Sequence, residues 1–289
     1  MLKLVVRGLQ ARWRQYVLSA TAIAIGVALV SGTVILAQSA RASYSKLVHQ
    51  VSSGIDLYVR GPETDLHQGI SDFAPVSDAL LQRVRRVPGV AEAQGQVVRT
   101  GQLVSTNGDF LDPDRPTYVY SWVASKNLLP FVITSGRAPA ADGEVAVSAS
   151  TARAAGLHLG DRLRLSVSVT TPRPARIVGF VQPTTGGDLT GAGAVFASAS
   201  WLQRVTGIGA RWDLIEVAAS HAVTVETLRA RINTVIPQDQ TSVITRAEYN
   251  NAQLSNLAQR SSSLTAILLA LSLLAFVVGC GVVFTTFSV

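Results

Sequence analysis

Few side chains in this sequence are grouped in a way that could do chemistry. The four histidines, His49, His67, His158 and His221, are dispersed among loops and surfaces, and none has a second ligand at metal-binding spacing. Gly186, Gly187, Gly191 and Gly193 form a glycine-rich stretch, but it lacks the fingerprint spacing and the lysine of a phosphate cradle, so it reads as a surface loop. Neither a Walker A pattern nor a Gly-x-Ser-x-Gly elbow occurs, so the chain cannot bind and hydrolyse ATP in the P-loop manner. Asp112 and Asp114 are close enough to act as a carboxylate pair, yet within Asp-Pro-Asp-Arg-Pro they read as a solvated turn. The single cysteine, Cys280, lies inside a terminal apolar run and excludes any intramolecular disulfide. We therefore expect no catalytic residue, no cofactor and no metal site, and no substrate-binding residue can be named. The chain reads as a non-enzyme.

The elements that frame these residues begin with two uncharged runs. Ser261–Val289 contains no charged residue, and Gln15–Ala40 is bounded by Arg14 and Arg41. At ~1.5 Å per helical residue, roughly 20 apolar residues span a bilayer core, and both runs are long enough. Ala40-Arg41-Ala42 has the form of a signal-peptidase site, but the first run exceeds the ~7–15 residues of a signal h-region and reads as an uncleaved helix. The formal charge of +7 dissolves once it is located: all 18 acidic and 20 of the 25 basic residues lie between Arg41 and Ala258, a balance of +2. Lys3, Arg7, Arg12, Arg14 and Arg260 flank the apolar runs and act as topology signals, so no nucleic-acid partner is expected. The positive-inside rule places the N-terminus in the cytoplasm. The expected organisation is an amphipathic interfacial segment over 1–16, a membrane helix over 17–40, an extracytoplasmic domain over 41–258, and a stalk with second membrane helix over 247–289, its membrane part 261–289.

Within the exterior region, Ile55–Arg60 alternates as a half-buried strand, and Ser77 is an N-cap for a helix carrying Leu80, Leu81, Val84 and Val87 to a stop at Pro88-Gly89. A strand starting at Val90 runs through Val97-Val98 and Leu103-Val104 to an Asn107-Gly108 turn. This strand–helix–strand unit has an echo in Trp212–Val217, a helix over 223–235 and a strand over 241–245, which together predict one sheet with helices on one face. Between them the sequence is mostly β: Thr117–Ala124, Glu144–Val147, a short helix over Ser150–Ala155, Arg162–Thr170, Ala175–Val181, Val195-Phe196 and a helix over Ser198–Val205. The fold class is thus α+β, with porter-like parts 54–110 and 206–246 nearest the bilayer and an inserted β-rich tip over 111–205. From about Ala247 a continuous helix leads into the second membrane run.

Local motifs add a resemblance. The stretch GRAPAADGEVAVSASTARAAGLHLGDRLRL from Gly136, the strand ARIVGFVQP from Ala175 and the terminal VVFTTFSV resemble patterns of FtsX/MacB-type ABC transporter permeases, with Leu163 where valine is common and Thr285 where asparagine is usual. The resemblance implies a permease subunit in a bacterial inner membrane, whose exterior domain moves as a partner P-loop ATPase in the cytoplasm binds and hydrolyses ATP. It implies a second permease copy or homologous half, the lipid bilayer and an extracytoplasmic partner protein as partners. Lipid, lipoprotein, peptide or drug would be the cargo. Two other readings stand beside it: a division-type activator of cell-wall hydrolases, and a bitopic ligand sensor continuing into a signalling domain.

Overall fold

The computed structural model describes residues 54–64, 73–113, 115–123, 125, 127–168, 170–184, 192–237, 241–253 and 255, with seven helical positions between 24 and 39. The chain divides into two compact units, Met1–Ser43 with Gln253–Val289, and Tyr44–Ala252. Among the described residues no helix is long and apolar enough to cross a membrane. The expected span 261–289, residues 254 and 256–260 of the stalk before it, all but seven positions of 17–40, the segment 1–16 and the first part of the exterior domain, 41–53, lie outside the described residues, as do His49, His67, Asp114, Cys280 and Gly186, Gly187 and Gly191.

The unit Tyr44–Ala252 contains a four-stranded antiparallel sheet of β1 (Leu57–Arg60), β3 (Val90–Gln96), β13 (Leu214–Ala219) and β14 (Ser242–Thr245), in the order β14-β1-β13-β3. Helix α1 (Asp78–Arg85) joins β1 to β3, and helix α4 (Val225–Val235) joins β13 to β14. This is a ferredoxin-like arrangement of two interleaved βαβ units. Each helix starts where a hydroxyl accepts an otherwise orphaned amide: Ser77 Oγ from Leu80 N at 3.2 Å, and Thr224 Oγ1 from Thr227 N at 3.2 Å. Both helices pack one apolar stripe, Leu80, Leu81 and Val84 on α1 with Leu228 and Ile232 on α4, against Leu57, Val59, Ile215, Val217 and Val243 of the sheet. Full burial of such side chains contributes roughly 1.5–3 kcal/mol each.

Between β3 and β13 the chain makes a second sheet. Its strands are β4 (Val98–Val104), β5 (Phe110–Leu111), β6 (Thr117–Ser121), β7 (Phe131–Gly136), β8 (Glu144–Ser148), β9 (Arg162–Val167), β10 (Arg173–Pro183) and β11 (Gly193–Ala197). Pairing runs β4-β6-β11-β8-β10-β9 and returns to β4, which closes a mixed barrel, with β5 and β7 attached at its sides. The alternation Leu163, Leu165, Val167 points inward with Leu103, Val119, Val145, Val147, Ile177 and Val195, and Leu202 of α3 (Ala199–Thr206) closes that core. Helix α2 (Ala149–Ala155) follows β8 and ends at Gly156, whose φ of 63° suits a left-handed cap.

Three strand expectations are corrected. Val90–Val104 is not one strand: it breaks at Val97, and Val98–Val104, expected with the porter-like part, belongs to the barrel. The apolar alternation continues across the break because both halves bury a face, so periodicity cannot show the change of sheet. The echo strand starts at Leu214, because Arg211–Trp212 forms a separate strand, β12, paired with β2 (Val76–Ser77). Strand β10 begins before Pro174, which pairs only with β9 since the β8 ladder starts at Arg176; the missing proline amide therefore faces no partner strand. Strands β5 and β7 were not expected.

Candidate functional site

Two crossings tie the sheets together, outward through residues 96–99 and back through 211–213. Asp213 is the centre of both. Its buried carboxylate is ion-paired with Arg99 and its Oδ2 accepts the Val98 amide at 2.9 Å, while its own amide donates to Gln96 O at 3.0 Å. Ser121 Oγ accepts the Val97 amide at 3.0 Å and donates to Gln96 Oε1. Burial raises the Asp213 pKa against the opposing pull of Arg99. Beside this node, Trp212 packs against both cores, and its indole Nε1 donates to Asp78 Oδ1 at 3.1 Å on the first turn of α1. The ring lies directly over Gly95, where a Cβ would overlap it. The arrangement locks the barrel to the helix-bearing sheet at the place where the chain passes twice.

The sheet face turned away from α1 and α4 carries polar residues in register. Tyr58, Glu216 and Gln94 form one row, and Ala218 with Glu92 belongs to the next, where the Asp56 amide bonds to Val217 O at 2.9 Å. Leu128, Leu129, Phe131 and Phe196 from the barrel side pack over this face. Tyr249, in helical backbone over 246–253, stacks on Tyr58 with ring centroids 4.1 Å apart. Burial pushes the Glu216 carboxyl up to about 8, so it is neutral at pH 7, and its Oε2 has no hydrogen-bond partner among the described residues. Burial, and then Glu216, raises the Tyr58 pKa.

At the open end of this face lies a cleft of about 630 Å³ lined by Asp56, Ala91, Asn127, Leu129, Ala218 and His221, among others. One wall is the loop of Ser125 and residues 127–130. Ser125 Oγ holds it by accepting the amides of Asn127 at 3.1 Å and Leu128 at 3.0 Å. It presses on Gly54, whose φ is 87° and whose missing side chain makes room for the Asn127 carbonyl.

The sequence-level candidates are scattered. His158 is exposed with Nδ1 3.8 Å from Asp161 Oδ2, whereas His221 lies in the cleft. Asp112 has a φ of 64°, and its Oδ1 accepts Arg115 Nε at 3.1 Å in a turn. Among the described residues no group of three or more His, Cys, Asp or Glu could hold a metal ion. Asp213 and Glu216 were missed as polar sites. Their signal was present in Trp-Asp-Leu-Ile-Glu-Val, where alternation puts Glu216 opposite Ile215 and Val217 and so suggests a solvated face; the inserted barrel covers that face instead.

Residues 16–235 match the family described as MacB-like periplasmic core domain. The chain belongs to that family. Its members are extracytoplasmic domains of FtsX/MacB-type ABC transporter permeases and are typically non-catalytic. Among solved structures, the chain is similar to the periplasmic region of MacB from Actinobacillus actinomycetemcomitans, at 14% identity and a TM-score of 0.49, covering 69% of this chain and 94% of that one. It is also similar to the extracellular domain of the noncanonic ABC-type transporter YknZ from Gram-positive bacteria, at 11% identity and a TM-score of 0.43, covering 66% and 98%. No curated protein matches the chain. Membership rests on the family match.

Proposed function

We propose that the chain is a permease subunit that couples ATP hydrolysis by a cytoplasmic P-loop ATPase to movement of its extracytoplasmic domain, exporting or extracting a lipid, lipoprotein, peptide or drug. In this reading residues 17–40 and 261–289 cross a bacterial inner membrane, the N-terminus is cytoplasmic, and residues 41–258 are outside. A second permease copy or homologous half completes the assembly, and an extracytoplasmic protein acts with it. The four-stranded sheet stands nearest the bilayer and the barrel forms the tip.

The observation that carries this reading is the family match over residues 16–235. The buried Asp213–Arg99 node supports it, because two sheets joined through a desolvated ion pair and a shared tryptophan move as one body. The test is co-purification with a P-loop ATPase, followed by spin-label distances between two copies at exposed Leu159 with and without a non-hydrolysable ATP analogue. A distance change on adding the analogue is expected. Distances that stay the same in both states would sink the transmission reading.

A further inference from the structure

Where the chain enters and leaves the four-stranded sheet it is bound to itself. On the way in, Asp56 is fixed to β13: its amide donates to Val217 O at 2.9 Å and its Oδ2 accepts the Ala219 amide at 2.8 Å. Its carbonyl accepts the amide of Arg246, the first residue after β14, at 3.1 Å. On the way out, Thr245 and Glu248 form a reciprocal capping box. Glu248 Oε2 accepts the Thr245 amide at 2.7 Å, and Thr245 Oγ1 accepts the Glu248 amide at 3.2 Å. The other carboxylate oxygen, Oε1, accepts Arg229 Nη1 of α4 at 3.0 Å. The Thr245 amide first, and Arg229 with it, hold the Glu248 carboxyl below its ordinary pKa. The Arg229 pair is largely solvated and contributes little alone, so the box carries the turn. One residue on, Tyr249 stacks on Tyr58 of β1, and Asn250 is buried. From Ser242 to Gln253 there is neither glycine nor proline. A hinge leaves its terminal residues free to absorb large φ/ψ changes, whereas this terminus is held on β1, β14 and α4 at once.

We propose that residues 245–249 are the rigid joint through which movement reaches the domain, and that Glu248 is its positioning residue. For the source of the movement this rests on the transport reading, which it deepens; as a fixed joint it stands without the ATPase. Glu248 acts through its neighbours. By closing the box it sets the direction of the first helical turn, and that direction places Tyr249 over Tyr58. A load on the turn therefore falls on β1, the strand paired with both β13 and β14. Asp56 binds the entering chain to the same turn, so entry and exit cannot part without breaking the Arg246 bond.

Hydrogen exchange read by mass spectrometry, on the full chain in lipid nanodiscs without nucleotide, reports on the joint alone. Amides of residues 245–249 should exchange about tenfold faster in Glu248→Ala, the scale of a lost helix cap. Glu248→Gln keeps an oxygen that can close the box and loses only the solvated ion pair, so it should stay within about threefold of the wild type. The second measurement adds the partner ATPase and the non-hydrolysable ATP analogue. The distance change between copies at Leu159 should be lost in Glu248→Ala and kept in Glu248→Gln, with ATP hydrolysis at the wild-type rate in both. Exchange unchanged by Glu248→Ala overturns the joint. Faster exchange with a full Leu159 response overturns the positioning role, and a glutamine variant that behaves like alanine overturns the part given to the box. A protected joint in a wild type that shows no Leu159 response would leave the joint standing and sink the transport reading instead.

Discussion

Asp213 and Glu216 are near neighbours in sequence and both are buried, yet the structure treats them in opposite ways. Asp213 has a cation, Arg99, and a backbone amide, so its charge is matched where it lies. Glu216 has neither and stays protonated. Its pKa rises from an ordinary 4.5 to about 8 in the folded state, so the folded chain holds one more proton than the unfolded chain between those values. Stability therefore falls as pH rises from about 4.5 to about 8 and is level with respect to this group outside that window. Glu216→Gln removes that slope, so the variant should lose less stability than the wild type between pH 5 and pH 8. Thermal melts of both proteins at pH 5 and pH 8 check this; a wild-type pH dependence retained in the glutamine variant would contradict the assignment.

At the scale of elements, the crossing between sheets depends on one close approach, that of the Trp212 ring to the Gly95 backbone. A methyl group at position 95 overlaps the indole and must push it out of its place between the two cores. Gly95→Ala should cost about 1–3 kcal/mol by overpacking. It should also release the indole from Asp78, which a change in tryptophan fluorescence would report. An alanine variant with unchanged melting and emission would show that the crossing is slack. Much at this scale was legible beforehand. Ser77 as a cap, the α1 and α4 stripes and the strict alternation of Leu163, Leu165 and Val167 each follow from local periodicity or capping chemistry. The change of sheet at Val97 was not legible, since buried alternation looks the same in either sheet. Edge strand β7 was missed as well, although Phe131, Val132 and Ile133 form an apolar run after Pro130. Of the cleft, only His221 had been singled out, because Asp56, Asn127 and Ala218 meet through pairing and packing between segments far apart in the chain.

For the whole molecule, the barrel interrupts the four-stranded sheet. Among the described residues, strand β1 finds its neighbours only in β13 and β14: Leu57 lies opposite Val217 on one side and Thr245 on the other. Every such partner of the first strand is thus made after the barrel, and the closure cost of that long loop, which varies only as the logarithm of its length, eases once the barrel has condensed and shortened it. Pulse-labelled hydrogen exchange during refolding should find amides of β6, β8 and β10 protected before those of β1 and β14. Simultaneous protection would argue for a single cooperative nucleus. During synthesis the consequence is a waiting time. At ~5–20 residues per second, the interval from Leu57 to Val217 lasts on the order of ten seconds, with Leu57, Tyr58 and Val59 exposing an unpaired strand edge. The strand that ends as one of the best-buried elements is the one that spends longest without a partner.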